Sequence, residues 1–115
     1  MYKNVLIGVG LYLIAHIGTW FQLNSQFFSK WAKDHWILIT CTFSIPIGLL
    51  FVYGTKYMAD GFDGMLWPGR ILGFSIGTLV FGIFTYLIMN EPISLKTSVL
   101  LGLCVLIILI QVLWK

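Results

Sequence analysis

GRILGFSIGTLVFGIFTYLIM, residues 69–89, carries a single charge, Arg70, near its start and none after it. At about 1.5 Å of rise per residue, a helix of this length matches a hydrocarbon core about 30 Å thick. Lipid offers backbone groups no hydrogen-bond partner, so the stretch must be helical despite its β-branched and aromatic content. Residues 5–23, 36–56 and 97–114 have the same character. The fold class this predicts is all-α and integral to the membrane: one domain over residues 1–115, built as a four-helix transmembrane bundle.

Composition leads the same way. Of 115 residues, 59% are hydrophobic and 10% charged, where a soluble domain commonly devotes about a quarter of its residues to charge. The lipid bilayer is therefore the expected partner. The net charge of +3 is spread over Lys3, Lys30, Lys33, Lys56, Arg70, Lys96 and Lys115, at the edges of apolar stretches and without a basic run. That pattern points away from nucleic acid and toward headgroup contacts. Trp20, Trp31, Trp36, Trp67 and Trp114 fall at or beside span ends, where an amphipathic ring with an N–H to satisfy prefers to sit.

Soluble-type enzyme chemistry is not expected. Cys41 and Cys104 both lie in apolar runs, which argues against a disulfide framework or a zinc site. Asp60 and Asp63 are too few for a hard-cation cage, so no metal is expected, and no cofactor. The two histidines stand on different elements, and the glycines of the third span are spaced for packing rather than for cradling phosphate.

The first run begins after Lys3, shows no small-x-small cleavage site and continues through Gly18, Thr19 and Trp20 to Leu23, so it is expected to be retained. Residues 24–35 interleave Phe27, Phe28 and Trp31 with Lys30, Lys33 and Asp34 and are expected along the interface. Asp60-Gly61 and Asp63-Gly64 mark a turn before the third span. Pro92 stops that span, and Ser94 is placed to cap the fourth. Lys3, Lys56, Arg70 and Lys115 fall on the side of the termini, and Lys30, Lys33 and Lys96 on the other. The count leans to cytoplasmic termini. So small a difference also permits insertion in both orientations.

Association of helices in lipid relies on close backbone approach and van der Waals contact. Gly69, Gly73 and Gly77 recur every four residues and form a groove along one face of the third span. Ser44 and Gly48 repeat the spacing in the second, with Pro46 between them as an expected kink. The groove fits packing within one bundle, and it also fits contact with a second chain.

His16 is the only ionisable residue well inside a span, and such residues are functional candidates because burying charge in a membrane is expensive. With a pKa of about 6.5 in water it can exchange protons. Tyr12 and Trp20, one turn away on each side, are placed to frame a cation. The alternative is a neutral histidine bonded to a neighbouring helix or facing the headgroups. Arg70 either snorkels to phosphate or holds an anionic headgroup, for which a guanidinium fork is suited. Gln22 and Gln111 are expected to make hydrogen bonds near span ends.

Met89-Asn90-Glu91-Pro92-Ile93-Ser94-Leu95-Lys96, followed by Gly102 and the apolar run from Val105 to Ile110, resembles the closing hairpin of the drug/metabolite transporter superfamily. The resemblance covers the chain from Trp67 onward and is to small multidrug resistance-like four-helix proteins and to small flippase subunits that move lipid-linked aminosugars. In the small multidrug resistance exporters the first span holds a membrane-embedded glutamate; here residues 4–23 contain no carboxylate. The resemblance implies a bacterial-type inner (plasma) membrane and a homodimer, which the near-equal charge distribution allows to be antiparallel. It also implies transport of a small amphipathic, cationic or lipid-linked solute. A non-transporting subunit packed against a larger membrane protein is the other expectation.

Overall fold

In the computed structural model, which describes residues 2–114, the backbone meets its own hydrogen-bonding needs through helices, with no strand among the described residues. Four are long and apolar enough to cross a membrane: α1 (Tyr2–Asn24), α3 (Trp36–Gly61), α4 (Trp67–Met89) and α5 (Leu95–Leu113). A short interfacial helix, α2 (Lys30–Asp34), follows a single 3-10 turn at Ser25–Phe27. The protein is thus an all-α, four-helix integral membrane protein.

Local chemistry fixes the ends. The Ser94 hydroxyl accepts from the Thr97 N–H at 3.1 Å and caps α5. Asn90 ends α4 in the left-handed region at φ 54°, a conformation its short polar side chain tolerates. Ser29 caps α2 by accepting from the Ala32 N–H at 3.3 Å. Trp31 and His35 stack at 4.6 Å between ring centroids, beside exposed Phe27 and Phe28. This segment presents the mixture of aromatic and basic groups that suits an interface. α3 runs past its apolar portion to Gly61, because a helix that satisfies its own backbone has no reason to stop where the hydrocarbon ends. It also continues across Pro46. The turn after it uses positive φ at Asp63 and Gly64, and the Gly64 N–H donates to the Ala59 carbonyl at 2.7 Å.

The helices are arranged around α1. It packs along α3 on one side and along α4 on the other, while α3 and α4 touch each other little and α5 packs on α4. The result is flattened, 36 Å wide and 18 Å thick across a 47 Å length. Side-chain contacts give the directions. Gly8 lies against Met58, Gly18 against Ile47, and Gln22 donates to Ser44 at 3.4 Å, so α1 and α3 are antiparallel. Tyr12 lies against Gly69 and Gly73, and His16 against Gly77, so α1 and α4 run parallel. The core is small, with Val5, Tyr12, Met58, Leu72, Ile76 and Val80 at its centre. The outer face of α5 (Leu95, Val99, Leu103, Leu106, Leu113) is bare hydrocarbon, as a surface solvated by lipid must be.

Candidate functional site

The glycines of α4 admit α1 so closely that its larger side chains lie directly on the α4 backbone. A Cβ at Gly77 would stand 2.5 Å from His16 Cε1, and one at Gly73 would stand 3.3 Å from Tyr12 Cε2. On the opposite side of α1, a Cβ at Gly54 would lie 2.7 Å from the Tyr12 ring. Tyr12 is thus held between glycines of two different helices. Its hydroxyl hydrogen-bonds Thr55 Oγ1 at 2.9 Å. The glycine groove is therefore occupied by the chain's own first helix.

Drawing α1 in between α3 and α4 keeps those two helices apart, and a cleft of about 550 Å³ opens between them. Tyr12 and His16 form its floor, Phe51 and Thr55 one wall, Gly73 and Phe74 the other. Leu66 and Arg70 stand at the end nearest the α3–α4 turn. Seven residues separate Arg70 from Gly77, so the cleft reaches about 10 Å from its charged rim to the His16 ring. Phe51 meets His16 edge-on at 5.1 Å and Tyr12 at 5.9 Å. Among the described residues, His16 Nε2 has no hydrogen-bond partner. A polar atom left without a partner at membrane depth is costly.

Of the residues singled out from sequence, the structure brings Tyr12, His16, Arg70, Gly69 and Gly73 to this cleft. Gly77 supports it from behind the His16 ring. Trp20 is placed elsewhere. It is 2% exposed, against 58% for Trp31 and 78% for Trp114. Its Nε1–H donates to Thr85 Oγ1 at 3.0 Å, so the N–H is satisfied inside the bundle, and the ring does not line the cleft beside His16. Its N–H finds a partner on α4, and its ring finds Phe21, Phe28 and Phe84 at 5.2–6.0 Å. Ser44 is exposed and bonded to Thr40 and Gln22, and Gly48 has nothing within 4 Å of where its Cβ would be. The second small-residue pair therefore forms no groove: Ser44 reaches α1 only through Gln22, and Gly48 faces open space.

Thr55, Phe51 and Phe74 were not legible as site residues. Helical spacing puts Phe51 and Thr55 on one face of α3, but nothing local says which helix that face meets. Comparison with protein-family models, with curated proteins and with solved structures gives no match.

Proposed function

We propose that this chain is a small transporter-like membrane protein that moves a small amphipathic or lipid-linked solute, acting as a dimer. The observation that carries this reading is the cleft between α3 and α4: concave, floored by polar rings at membrane depth, walled by aromatics and rimmed by one cation. Such a combination of apolar walls with a few convergent polar groups is the usual form of a small-molecule site. A gap between two helices that barely touch also gives an amphiphile sideways access from lipid, with no need to leave the bilayer. The cleft lies toward the α3–α4 turn, and toward the other end the Trp20 cluster packs α1 against α4. Four helices with a one-ended cleft supply half a path, and a second copy in the opposite orientation supplies the other half. The closing hairpin at residues 89–96 and its resemblance to small transporters support the same reading.

A second reading, a non-transporting subunit, draws on α5, whose span is only 6% buried and would accept a larger partner as readily as lipid. Native mass spectrometry of the protein gently extracted from its own membrane separates the two. Two copies of this chain are expected. One copy with a stoichiometric unrelated membrane protein would overturn the transporter reading.

A further inference from the structure

The seam between α1 and α3 can be followed contact by contact. Nearest the α3–α4 turn, Thr55 Oγ1 lies 2.9 Å from the Tyr12 hydroxyl. One turn on, Phe51 meets the His16 ring at 5.1 Å between centroids. Ile47 comes next and sits on Gly18, where a Cβ would stand 3.2 Å from the isoleucine side chain. Beyond it the Gln22 amide donates to Ser44 Oγ at 3.4 Å. Helical spacing puts Ser44, Ile47, Phe51 and Thr55 on one face of α3. Of these contacts, the one at Ile47 has no polar side chain on either helix.

A hollow lies on either side of that contact. Toward the α3–α4 turn is the cleft with Tyr12, His16, Phe51 and Thr55. Toward α2 is a second gap of about 170 Å³, between the end of α1 and the start of α3. Gln22, Ser25, Gln26 and Thr40 give it amide and hydroxyl groups, and no charged side chain lines it. A single apolar contact between two hollows that carry polar groups is a constriction of the kind that holds water back by dewetting.

The helix that carries Ile47 is weakened directly beside it. Pro46 has no N–H to give the Thr42 carbonyl, and helices bend at such residues. The Thr40 hydroxyl donates back to the Trp36 carbonyl at 2.8 Å, a bond that also bends helices. No residue from Trp36 to Pro46 is buried, whereas Ile47, Gly54, Met58 and Gly61 are. The first buried side chain of α3 thus follows directly on the place where the helix can bend. We propose that Ile47 is a gate. Seated on Gly18, it separates the cleft from the gap beside α2; a bend of α3 at Pro46 lifts it and joins the two. This rests on the reading of the cleft as the solute site, and it names what makes that cleft one-ended.

The test is osmotic water flow, followed by stopped-flow light scattering, in vesicles that contain the whole chain; it does not depend on which way the protein is inserted. The unaltered protein should pass little more water than protein-free vesicles, and Ile47→Ala should raise the flow severalfold. Leu49→Ala, a truncation on the lipid-facing side of the same helix, should leave it unchanged. Gly18→Leu combined with Ile47→Ala puts a side chain back into the constriction from the other helix and should restore the seal. No leak from Ile47→Ala would overturn the gate. So would an equal leak from Leu49→Ala, or a leak that persists in the double variant, since either would mean a loosened bundle. The bend is read separately, from the distance distribution between spin labels at Ile37 and Val52, both exposed, with Cys41 and Cys104 replaced by alanine. A broad or two-peaked distribution that Pro46→Ala narrows is expected; a single narrow one in both would overturn the bend. Water flow reads the gate without a solute. An Ile47→Ala leak in a protein that moves no amphiphile would therefore keep the gate and remove the transport reading. Movement of an amphiphile with no such leak would do the reverse.

Discussion

The two halves of the α1–α4 contact are built from the same pair of parallel helices and do opposite things. In the half nearest the α3–α4 turn, glycines on α4 let Tyr12 and His16 press against its backbone, and the space left over is a cleft. In the other half the partners are large: Trp20, Phe21, Phe28 and Phe84 pack ring against ring, and Trp20 is bonded to Thr85. One half holds the helices together with aromatic bulk, and the other joins them by near-contact of backbones and remains open beside it. The difference follows from what α4 offers along its length, glycine at 69, 73 and 77 and then Phe84 and Thr85. In lipid, where apolar burial drives helices together only weakly, van der Waals fit and hydrogen bonds decide both halves.

The comparison can be broken by substitution. Trp20→Ala has the largest expected effect, because it removes four-ring packing and the bond to Thr85 together: about 3–5 kcal/mol, the range for truncating a buried tryptophan. Thermal unfolding in mild detergent measures it, and a loss below that of an exposed tryptophan such as Trp36→Ala would mean the closed half is not what holds α1 to α4. Gly77→Ala comes next. Its new Cβ would meet the His16 ring at 2.5 Å, and overpacking of this kind costs about 1–3 kcal/mol. Gly48→Ala is the matched control: with open space around it, relief of glycine's backbone entropy should stabilise α3 by up to about 0.5–1 kcal/mol. If the two glycine variants shift stability alike, the close approach at Gly77 is not real. Thr55→Val is the smallest, about 0.6 kcal/mol for one interhelical hydrogen bond in a membrane protein. It should leave the Trp20 half untouched, as the quenching of Trp20 fluorescence can report.

Most of the fold was legible because lipid leaves the chain so few choices. Uncharged runs of spanning length have to be helices, Pro92 and Ser94 name where one ends and the next begins, and the periodic glycines of α4 announce a close contact. The site was legible in part. His16 stands out as an ionisable group at membrane depth, and Arg70 as a charge at the head of an apolar span. Trp20, one turn from His16 in the sequence, does not join the cleft, because its N–H is taken by Thr85 on α4, a partner 65 positions away that helix spacing does not reveal. Thr55 and Phe51 were illegible for a related reason: they matter through a neighbour 43 positions away in the first case, and helix periodicity carries no information about which helices pair.

Transport through this molecule requires that its open half conduct an amphiphile. The direct measurement is transfer of a fluorescent long-chain amphiphile between the leaflets of vesicles that contain the protein. Transfer faster than in protein-free vesicles, abolished by Thr55→Trp and preserved in Gly48→Ala, is the predicted result. Transfer at the protein-free rate, or transfer that continues when Thr55→Trp has filled the cleft, would contradict it.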